Sequence, residues 1–567
     1  MHRKLFVIVL IAIMILMQAA CSGTQTTTSQ TSGTTTKSAT TTATTATTTP
    51  TTASGPVNKT GLPISDSELI FTAMARRSAT SAEWNDMWCF RKAKEITNIG
   101  FDITSISEDA WNERVNLAFA TKALPEVILS AANLTDLDLI KYGSQGMIIS
   151  LAGYLEDYAP LITQRFTQYP EVIKALTSPD GNVYKLTGFG VMTRNFAQKR
   201  FWINAQWLRD LNLEKPTNLD EFYDVLMAFK SNDMNKNGDA NDEIPIPGMF
   251  NTSYAVDIPI LVAFGYVSSR IDTINDTVVY TPTEPLYEEY LKYFNKLYQD
   301  GLVDTEYFSQ TREQFLAKGG QMRYGVMCYD ADWLMVPQES DYTQYEAMPP
   351  MVSQHNQTQM WPSKVPALYG GISVTSECRY PEAIVRYLDW IYTAEGSTIM
   401  QFGPENGTYE GGVGGWKLIT NEEGIKGYEL TWPEKYSSYN EFRMQEICPM
   451  ALPYVSLPDD QPLGYYLTSL SLTQRKLTKD IDENYTPYYR PAFPTVMMTS
   501  EENEKINMIM TDLKPYVEQM EARFMSGEES FDGFAAFVQG CKDRGSEEMV
   551  TIYQEVYDRW KAAGSGN

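Results

Sequence analysis

Short apolar runs and amphipathic segments alternate along the first part of the chain. Residues 67–75 (SELIFTAMA), 101–107 (FDITSIS) and 124–131 (LPEVILSA) are apolar runs of strand length. Residues 111–121 (WNERVNLAFAT) repeat their apolar positions with helical spacing, and another helix is expected to end near Gly100. This alternation of strands and helices predicts a parallel sheet with helices on its faces, which is an α/β fold.

Parallel sheets of this kind bind ligands at the carboxyl ends of their strands. The loops that follow the predicted strands cover residues 76–88, 108–111 and 130–133. We therefore expect these loops to share one rim of the sheet. Trp84 and Trp111 lie in or next to these loops and are candidates for ligand contact, although most tryptophans pack in a core.

The pattern continues through the rest of the chain. Residues 180–186 (DGNVYKL) predict a turn that enters a strand, and residues 219–230 (LDEFYDVLMAFK) predict a helix capped by the threonine and asparagine before it. Residues 324–330 (YGVMCYD) predict a strand, and residues 381–403 predict one helix. The segment from residue 500 onward is largely helical and acidic. The chain therefore combines α/β regions with a helical C-terminal region.

A stretch rich in side-chain oxygens follows the helix predicted at residues 219–230. Counted from Asp233, such side chains stand at positions one, three, five and seven, with glycine at position six, as in an EF-hand calcium loop. Position twelve is Ile244, so the closing carboxylate is expected one position earlier. The candidate ligands of a structural calcium ion are Asp233, Asn235, Asn237, Asp239, Asp242 and Glu243. A surface turn without metal is the alternative for this composition.

Residues 1–20 have the three parts of a secretory signal peptide. Basic Arg3 and Lys4 precede an apolar run at residues 5–17, which is short for a transmembrane helix, and small residues follow. Cys21 comes directly after two alanines, as in a bacterial lipobox, and is the candidate lipidation site for acyl chains such as palmitate. Gln18 stands where that pattern prefers leucine, so ordinary signal cleavage is the alternative.

Residues 21–61 are dominated by threonine, serine and alanine. Such a segment has too little apolar surface to offset the entropy of ordering it. We expect a disordered tether between the lipid and the folded part. The chain is thereby placed on the extracellular face of the cell membrane.

Charge and residue usage exclude several functions. The net charge is −25, which disfavours nucleic acid and anionic lipid as partners. Histidine occurs only at His2 and His355, so histidine-dependent triads and multi-histidine zinc sites are not expected. Besides Cys21, the cysteines are odd in number and widely spaced, which is unlike a disulfide framework.

Several segments, taken in order, resemble the extracellular solute-binding lipoproteins of carbohydrate-type ABC importers. They are residues 123–130, 180–186, 201–230, the oxygen-rich loop with its DEIPIP ending, residues 372–403 and residues 527–560. The loop is similar to that of a subgroup that includes alginate-oligosaccharide binders. The resemblance implies two α/β lobes that close by a hinge around a ligand. Lobe I is expected at 62–190 and 369–430, and lobe II at 191–368 and 431–567.

The resemblance also implies a monomeric, membrane-anchored receptor that passes an oligosaccharide to an ABC transporter permease without chemical change. Sugar binding is consistent with the aromatic content of 12%, since flat rings match the C–H faces of sugars. Ligand-binding residues are expected from both lobes. The candidates are Trp84, Trp111, Arg194, Tyr329, Asp332, Trp333, Trp361 and Glu405.

Two other classes of function fit parts of the sequence. A secreted glycoside hydrolase or lyase needs only paired carboxylates and no histidine, and the chain has 71 acidic residues. Such an enzyme would turn over oligosaccharides repeatedly, whereas a receptor would not. A structural adhesin on a threonine-rich stalk would have no small-molecule cleft.

Overall fold

The computed structural model describes residues 56–191, 200–329, 344–363, 367–405, 408–409, 412–420, 426–449, 451–457 and 479–563. Residues 55–567 form one compact unit. The signal peptide, Cys21 and the tether lie outside the described residues, as do Arg194, Asp332 and Trp333. Across the described ranges, no helix combines the length and the apolarity needed to cross a bilayer.

Nine of the seventeen strands in the described residues belong to two sheets, one of six strands and one of three. In chain order they are β1 (Leu69–Arg77), β2 (Ile99–Ser107), β3 (Val127–Ile128), β4 (Leu186–Gly190), β5 (Arg200–Asn204), β6 (Ile271–Ile274), β7 (Thr277–Tyr280), β8 (Val326–Tyr329), β9 (Tyr345–Ala347), β10 (Trp361–Ser363), β11 (Ala367–Val374), β12 (Thr408–Tyr409), β13 (Gly412–Val413), β14 (Gly415–Thr420), β15 (Lys426–Thr431), β16 (Val455–Ser456) and β17 (Tyr489–Pro491).

Helices flank these sheets and make up most of the C-terminal region. They are α1 (Trp88–Thr97), α2 (Trp111–Thr121), α3 (Asp136–Ser144), α4 (Ala152–Tyr158), α5 (Pro160–Gln168), α6 (Pro170–Leu176), α7 (Ala205–Leu211), α8 (Leu219–Lys230), α9 (Asp257–Leu261), α10 (Pro285–Gln299), α11 (Arg312–Gly320), α12 (Pro381–Ile391), α13 (Ala394–Phe402), α14 (Tyr439–Phe442), α15 (Ser500–Ser526), α16 (Phe534–Asp543) and α17 (Ser546–Ala562).

The larger sheet has six strands in the order β16-β4-β11-β3-β1-β2. Strands β2, β1 and β3 are parallel, and β11 runs antiparallel to β3 and to β4. In β1, Phe71 and Ala73 are buried on one face of the sheet and Met74 on the other, which explains its nearly continuous apolar sequence. The predicted parallel sheet and the α/β class are thus confirmed.

A smaller sheet has the order β8-β5-β9. Its central strand pairs antiparallel with both neighbours, and Arg200 at the start of β5 lies opposite Tyr329 at the end of β8. Helix α8 packs nearby through Phe222, Leu226 and Phe229, whose spacing places them on one face. This sheet belongs to a different core from the larger one.

Two large apolar cores organise the described residues. The first runs from Val57 to Phe189 and from Ile372 to Leu457, and the second from Phe201 to Trp361 and from Ile481 to Val556. Along the chain, the described core residues change from one core to the other between Phe189 and Phe201, between Trp361 and Ile372, and between Leu457 and Ile481. Separate cores joined by chain crossings give the two-lobed architecture of the fold.

The third crossing lies later in the chain than the sequence suggested. Residues 431–567 were expected in lobe II, yet Phe442, Ile447 and Val455 are buried in the first core. The physical reason is that β16 pairs with β4 at the edge of the larger sheet. These residues therefore pack with lobe I before the chain crosses.

Several element boundaries also differ from the predicted ones. Asn98, rather than Gly100, takes the left-handed conformation that ends α1, with φ of 59°. The single helix predicted at residues 381–403 is divided into α12 and α13. The break occurs because the Thr393 side chain caps α13 by accepting a hydrogen bond from the Gly396 N–H group.

Candidate functional site

The three predicted loops do meet at the carboxyl ends of the parallel strands. Together with the segment after α14 they surround a cavity of about 220 Å³, which we call the rim cavity. Its wall consists of Arg76, Ser78, Ser81, Trp84, Glu108, Asn133, Met444, Pro449 and Ala451. The rim is thus concave, and its wall combines polar and apolar groups.

Arg76 is the central charged group of the rim cavity. Its backbone N–H donates to the Ser130 hydroxyl at 2.9 Å, and its Nη1 donates to Asn133 Oδ1 at 3.3 Å. The same Nη1 lies 3.2 Å from Glu108 Oε1. These contacts hold the guanidinium between the loops after β2 and β3, so that it faces the cavity with its charge balanced.

Trp84 contributes to the cavity wall from the first core. Only 1% of the residue is exposed, and its ring stacks on Phe90 with centroids 6.0 Å apart. Its indole Nε1 is buried, and within the described residues it has no hydrogen-bond acceptor. A buried donor without an acceptor is costly in a folded protein, by about 1–3 kcal/mol. The indole therefore has a free donor but no free ring face.

A π-helix at Arg443–Ile447 closes the opposite side of the cavity. The Met444 carbonyl accepts hydrogen bonds from the Ala82 N–H at 3.1 Å and from the Ser81 hydroxyl at 3.2 Å. The buried Arg443 guanidinium donates to Cys448 Sγ at 3.2 Å, which fixes the base of this segment. π-helical turns are rare and are frequent at functional sites. This element was not predicted from the sequence.

A second cavity of about 560 Å³ shares Asn133 with the first. Trp111 lines it, yet only 2% of that residue is exposed, and its Nε1 donates to the Asn133 carbonyl at 3.4 Å. Ser500 and Glu504 at the start of α15 form the far wall. The two cavities thus extend one concave face from the strand ends towards the C-terminal region.

Tyr329 lies at the end of β8, on the side of the second core. Its ring stacks on Tyr254 with centroids 4.8 Å apart, and Arg312 Nε donates to the Tyr254 hydroxyl at 2.7 Å. The hydrogen bond with Tyr254, followed by burial, raises the pKa of Tyr329. Sequence reasoning missed Tyr254 and Arg312, because nothing in their local pattern marks them as neighbours of Tyr329.

Two of the other candidate binding residues, Trp361 and Glu405, do not line these cavities. Trp361 is 1% exposed and packs in the second core, with its ring centroid 4.7 Å from that of Tyr485. Glu405 is exposed and forms a backbone bridge with Trp416. Arg194, Asp332 and Trp333 lie outside the described residues. The ligand contacts of these residues, and of Trp84 and Trp111, stay predictions.

The oxygen-rich loop folds around its own carboxylates. Asp233 accepts hydrogen bonds from the N–H groups of Asn237 and Gly238 at 3.1 Å and 2.9 Å. The Asp242 carboxylate lies 3.2 Å from the Asn235 amide and 3.0 Å from the Asn237 amide. Gly238 has φ of +92°, which a glycine adopts without strain. Four of the candidate calcium ligands thus converge at one end of α8.

Glu243 is the buried member of this group. Its Oε1 accepts the N–H groups of Met234 at 2.7 Å and Asn235 at 3.2 Å. Its Oε2 is buried and has no partner in the part of the chain that the structure describes. The same part contains no cluster of three His, Cys, Asp or Glu side chains arranged for a metal. An unpaired carboxylate oxygen beside amide and carboxylate groups nevertheless suits a hard cation.

The α/β fold, with its concave rim at the carboxyl ends of the parallel strands, is typical of proteins that bind a ligand. The profile of the bacterial extracellular solute-binding proteins matches residues 77–398, which is more than half of the chain, and the chain belongs to this family. The family consists of binding proteins, so the chain is a solute-binding protein and not an enzyme. The family resemblance inferred from the sequence is thereby confirmed.

Particular relatives sharpen this assignment. The chain is 24% identical over 529 residues to the fructooligosaccharide ABC transporter substrate-binding protein FusA of Streptococcus pneumoniae, covering 88% of this chain and 92% of the relative. The solved structure of FusA with kestose superposes with a TM-score of 0.65 at 23% identity, covering 87% of this chain and all of the other. One FusA structure, bound to fructo-nystose, is described as an EF-hand mutant.

Two further structures share the fold. A human-milk-oligosaccharide (HMO) binding solute-binding protein of Bifidobacterium longum infantis has a TM-score of 0.72 at 20% identity, covering 87% of this chain and 99% of its own. The alginate-binding protein AlgQ2, solved without its calcium ion, has a TM-score of 0.60 at 20% identity, with the same coverages. Calcium therefore features in the descriptions of related proteins.

Proposed function

We propose that this protein is a receptor that captures an oligosaccharide and delivers it to the permease of an ABC transporter. The observation that carries the proposal is the rim cavity, a concave site of mixed polar and apolar lining at the carboxyl ends of the parallel strands of lobe I. The relation to FusA along 88% of the chain supports a sugar as the ligand.

The two lobes would close around the sugar. Our revised division assigns residues 56–190 and 367–457 to lobe I and residues 200–363 and 479–563 to lobe II, because these ranges follow the two cores. The rim cavity would form the lobe I side of the cleft, and the second cavity would extend it to Ser500 and Glu504 of lobe II. Tyr329, Tyr254 and Arg312 would contribute from lobe II, and Arg194, Asp332 and Trp333 remain proposed partners there.

A calcium ion would stabilise the loop that follows α8. Its proposed ligands are Asp233, Asn235, Asn237, Asp239, Asp242 and Glu243, and the unpaired Oε2 of Glu243 is the observation that supports them. When bound, the cation supplies a cross-link between the two ends of the loop. Arg323, which lies just before β8, contacts the loop, since its Nε donates to the Asp242 carbonyl at 2.7 Å.

Membrane attachment would come from the N-terminus. The proposed path is secretion by the signal peptide at residues 1–20, lipidation of Cys21 and display of the folded part on the tether at residues 21–61. The extracellular family is consistent with this location.

A thermal-shift screen of the mature protein against an oligosaccharide library tests the proposal. Kestose, fructo-nystose and milk oligosaccharides should be included. A ligand that binds only the folded state raises the melting temperature. At a ligand concentration of 100 times the dissociation constant, the folded state gains about 2.7 kcal/mol of stability. A screen in which no oligosaccharide moves the melting temperature would count against a sugar receptor.

A further inference from the structure

We propose that the rim cavity holds a ring of a neutral oligosaccharide and discriminates against uronate-containing sugars, because Glu108 neutralises Arg76. This inference rests on the proposed function and names the class of sugar that the site takes. The observations behind it are the residues that form the wall of the cavity and the ion pair within that wall.

The ion pair determines what Arg76 can offer a ligand. An unpaired guanidinium binds a carboxylate in a bidentate fork, which is the usual way of recognising an acidic sugar. Here Arg76 Nη1 already lies 3.2 Å from Glu108 Oε1 and 3.3 Å from Asn133 Oδ1. A uronate carboxylate at this position would compete with Glu108 for the guanidinium and would also lie beside its negative charge.

The surrounding wall adds no net positive charge. Across the two connected cavities the described acidic residues are Glu108, Asp138 and Glu504, and the basic ones are Arg76 and Lys141. The face is therefore slightly negative. A polymer with one carboxylate per ring would meet net repulsion here, whereas uncharged rings would not.

The uncharged groups of the wall match the hydroxyl groups of a neutral sugar. Ser78 and Asn133 can each donate and accept, and the Ser81 hydroxyl, which already donates to the Met444 carbonyl, can still accept. The cavity of about 220 Å³ is smaller than typical ligand pockets of ~300–1,000 Å³, which suits a single ring of a longer chain.

Isothermal titration calorimetry of the mature protein with kestose and with trigalacturonate tests the inference. Both sugars have three rings, and only the second is charged. We expect wild type to bind kestose on the order of 100-fold more tightly than trigalacturonate, because like charges in an interface cost several kcal/mol. The Glu108→Gln substitution should reduce the ratio of the two affinities by about tenfold or more, because Arg76 would no longer be paired with a carboxylate.

Matched variants separate this effect from general damage. Glu83→Gln removes the partner of Arg77, a neighbouring pair 3.2 Å apart that does not line the cavity, and should leave the ratio unchanged. Glu108→Asp keeps the charge and should keep the preference for kestose. It also preserves the test if Glu108→Gln fails to fold.

The outcomes distinguish this inference from the proposed function. The neutral-sugar inference would be overturned if wild type bound trigalacturonate more tightly than kestose. It would also be overturned if the ratio of the two affinities were the same in Glu108→Gln and in wild type. Either result would still agree with a receptor for sugars. Failure to bind either trisaccharide or any oligosaccharide of the wider library would instead overturn the proposed function.

Discussion

Glu243 has one carboxylate oxygen bonded to two backbone N–H groups and the other buried without a partner in the described residues. A carboxylate is an acceptor only, so a buried and unpaired oxygen costs free energy unless a donor or a cation meets it. Its neighbours Asp233 and Asp242 add further negative charge to the loop. A bound calcium ion would give the buried oxygen of Glu243 a partner and would offset the repulsion between the carboxylates.

We predict that EGTA lowers the melting temperature of wild type and that Glu243→Gln abolishes this response. At calcium 100 times above its dissociation constant, the expected loss of stability is about 2.7 kcal/mol. Differential scanning calorimetry with and without EGTA measures it. Asp224→Asn, an exposed carboxylate on α8, should respond to EGTA like wild type. An EGTA-insensitive melt of wild type would contradict the calcium site.

Single residues also show what the sequence could and could not predict about the site. The loops of the rim were located correctly, because strand ends can be read from apolar runs. The tryptophans were a weaker guide, since Trp84, Trp111 and Trp361 bury their rings in cores. Arg76 and Glu108 were not singled out as binding residues, because an isolated charged residue near a strand end has the same local pattern as an ordinary surface residue.

At the scale of secondary structure, Glu126 joins three elements of lobe I. Its Oε2 accepts the Thr72 N–H of β1 at 3.0 Å, and its Oε1 accepts Arg379 Nε, just before α12, at 2.7 Å. Burial alone would raise the pKa of Glu126, but the hydrogen bonds from Arg379 and Thr72 lower it overall. The ionised carboxylate therefore stabilises the folded state above its unfolded pKa of about 4.3.

We predict that Glu126→Gln destabilises the protein by about 1–3 kcal/mol at pH 7, the cost of weakening a buried charged network. The difference from wild type should shrink below pH 4, as the native carboxyl of wild type takes up its proton. Urea unfolding at several pH values measures both effects. Glu68→Gln, whose carboxylate pairs with Lys94 at the surface, should change stability little at any pH. A pH-independent difference for Glu126→Gln would contradict the ionised network.

Helices with strong periodicity were predicted most accurately. The bounds of α2 and α8 coincide with residues 111–121 and 219–230, because the apolar faces of both helices and the Asn218 cap of α8 are local signals. The π-helix at Arg443–Ile447 and the division between α12 and α13 depend on tertiary contacts or on a single capping threonine. Short strands such as β3 depend on their neighbours in the sheet, so their limits are not encoded locally.

At the scale of the whole molecule, two cores and three chain crossings determine how the halves can move. The sequence placed the first two crossings at the lobe boundaries after residues 190 and 368, and both stay predictions. The third was expected near Thr431, but the chain packs into the first core until Leu457. Pairing of β16 with distant β4 causes this difference, and such pairing has no local sequence signal.

We predict that a bound oligosaccharide brings the lobes together. Small-angle X-ray scattering should show a smaller radius of gyration with saturating kestose than without it, because hinge closure makes the molecule more compact. Trigalacturonate at the same concentration serves as the control and should leave the radius unchanged. Complete binding by calorimetry without any change in scattering would argue against closure.

The central claim is that this protein binds an oligosaccharide and releases it unaltered. Calorimetric titration with kestose, followed by chromatography of the sugar recovered from the same cell, tests it most directly. We predict one saturable site per chain and recovery of intact kestose after prolonged incubation. No binding of kestose or of any related oligosaccharide, or the appearance of cleaved sugar in excess of the protein, would contradict it.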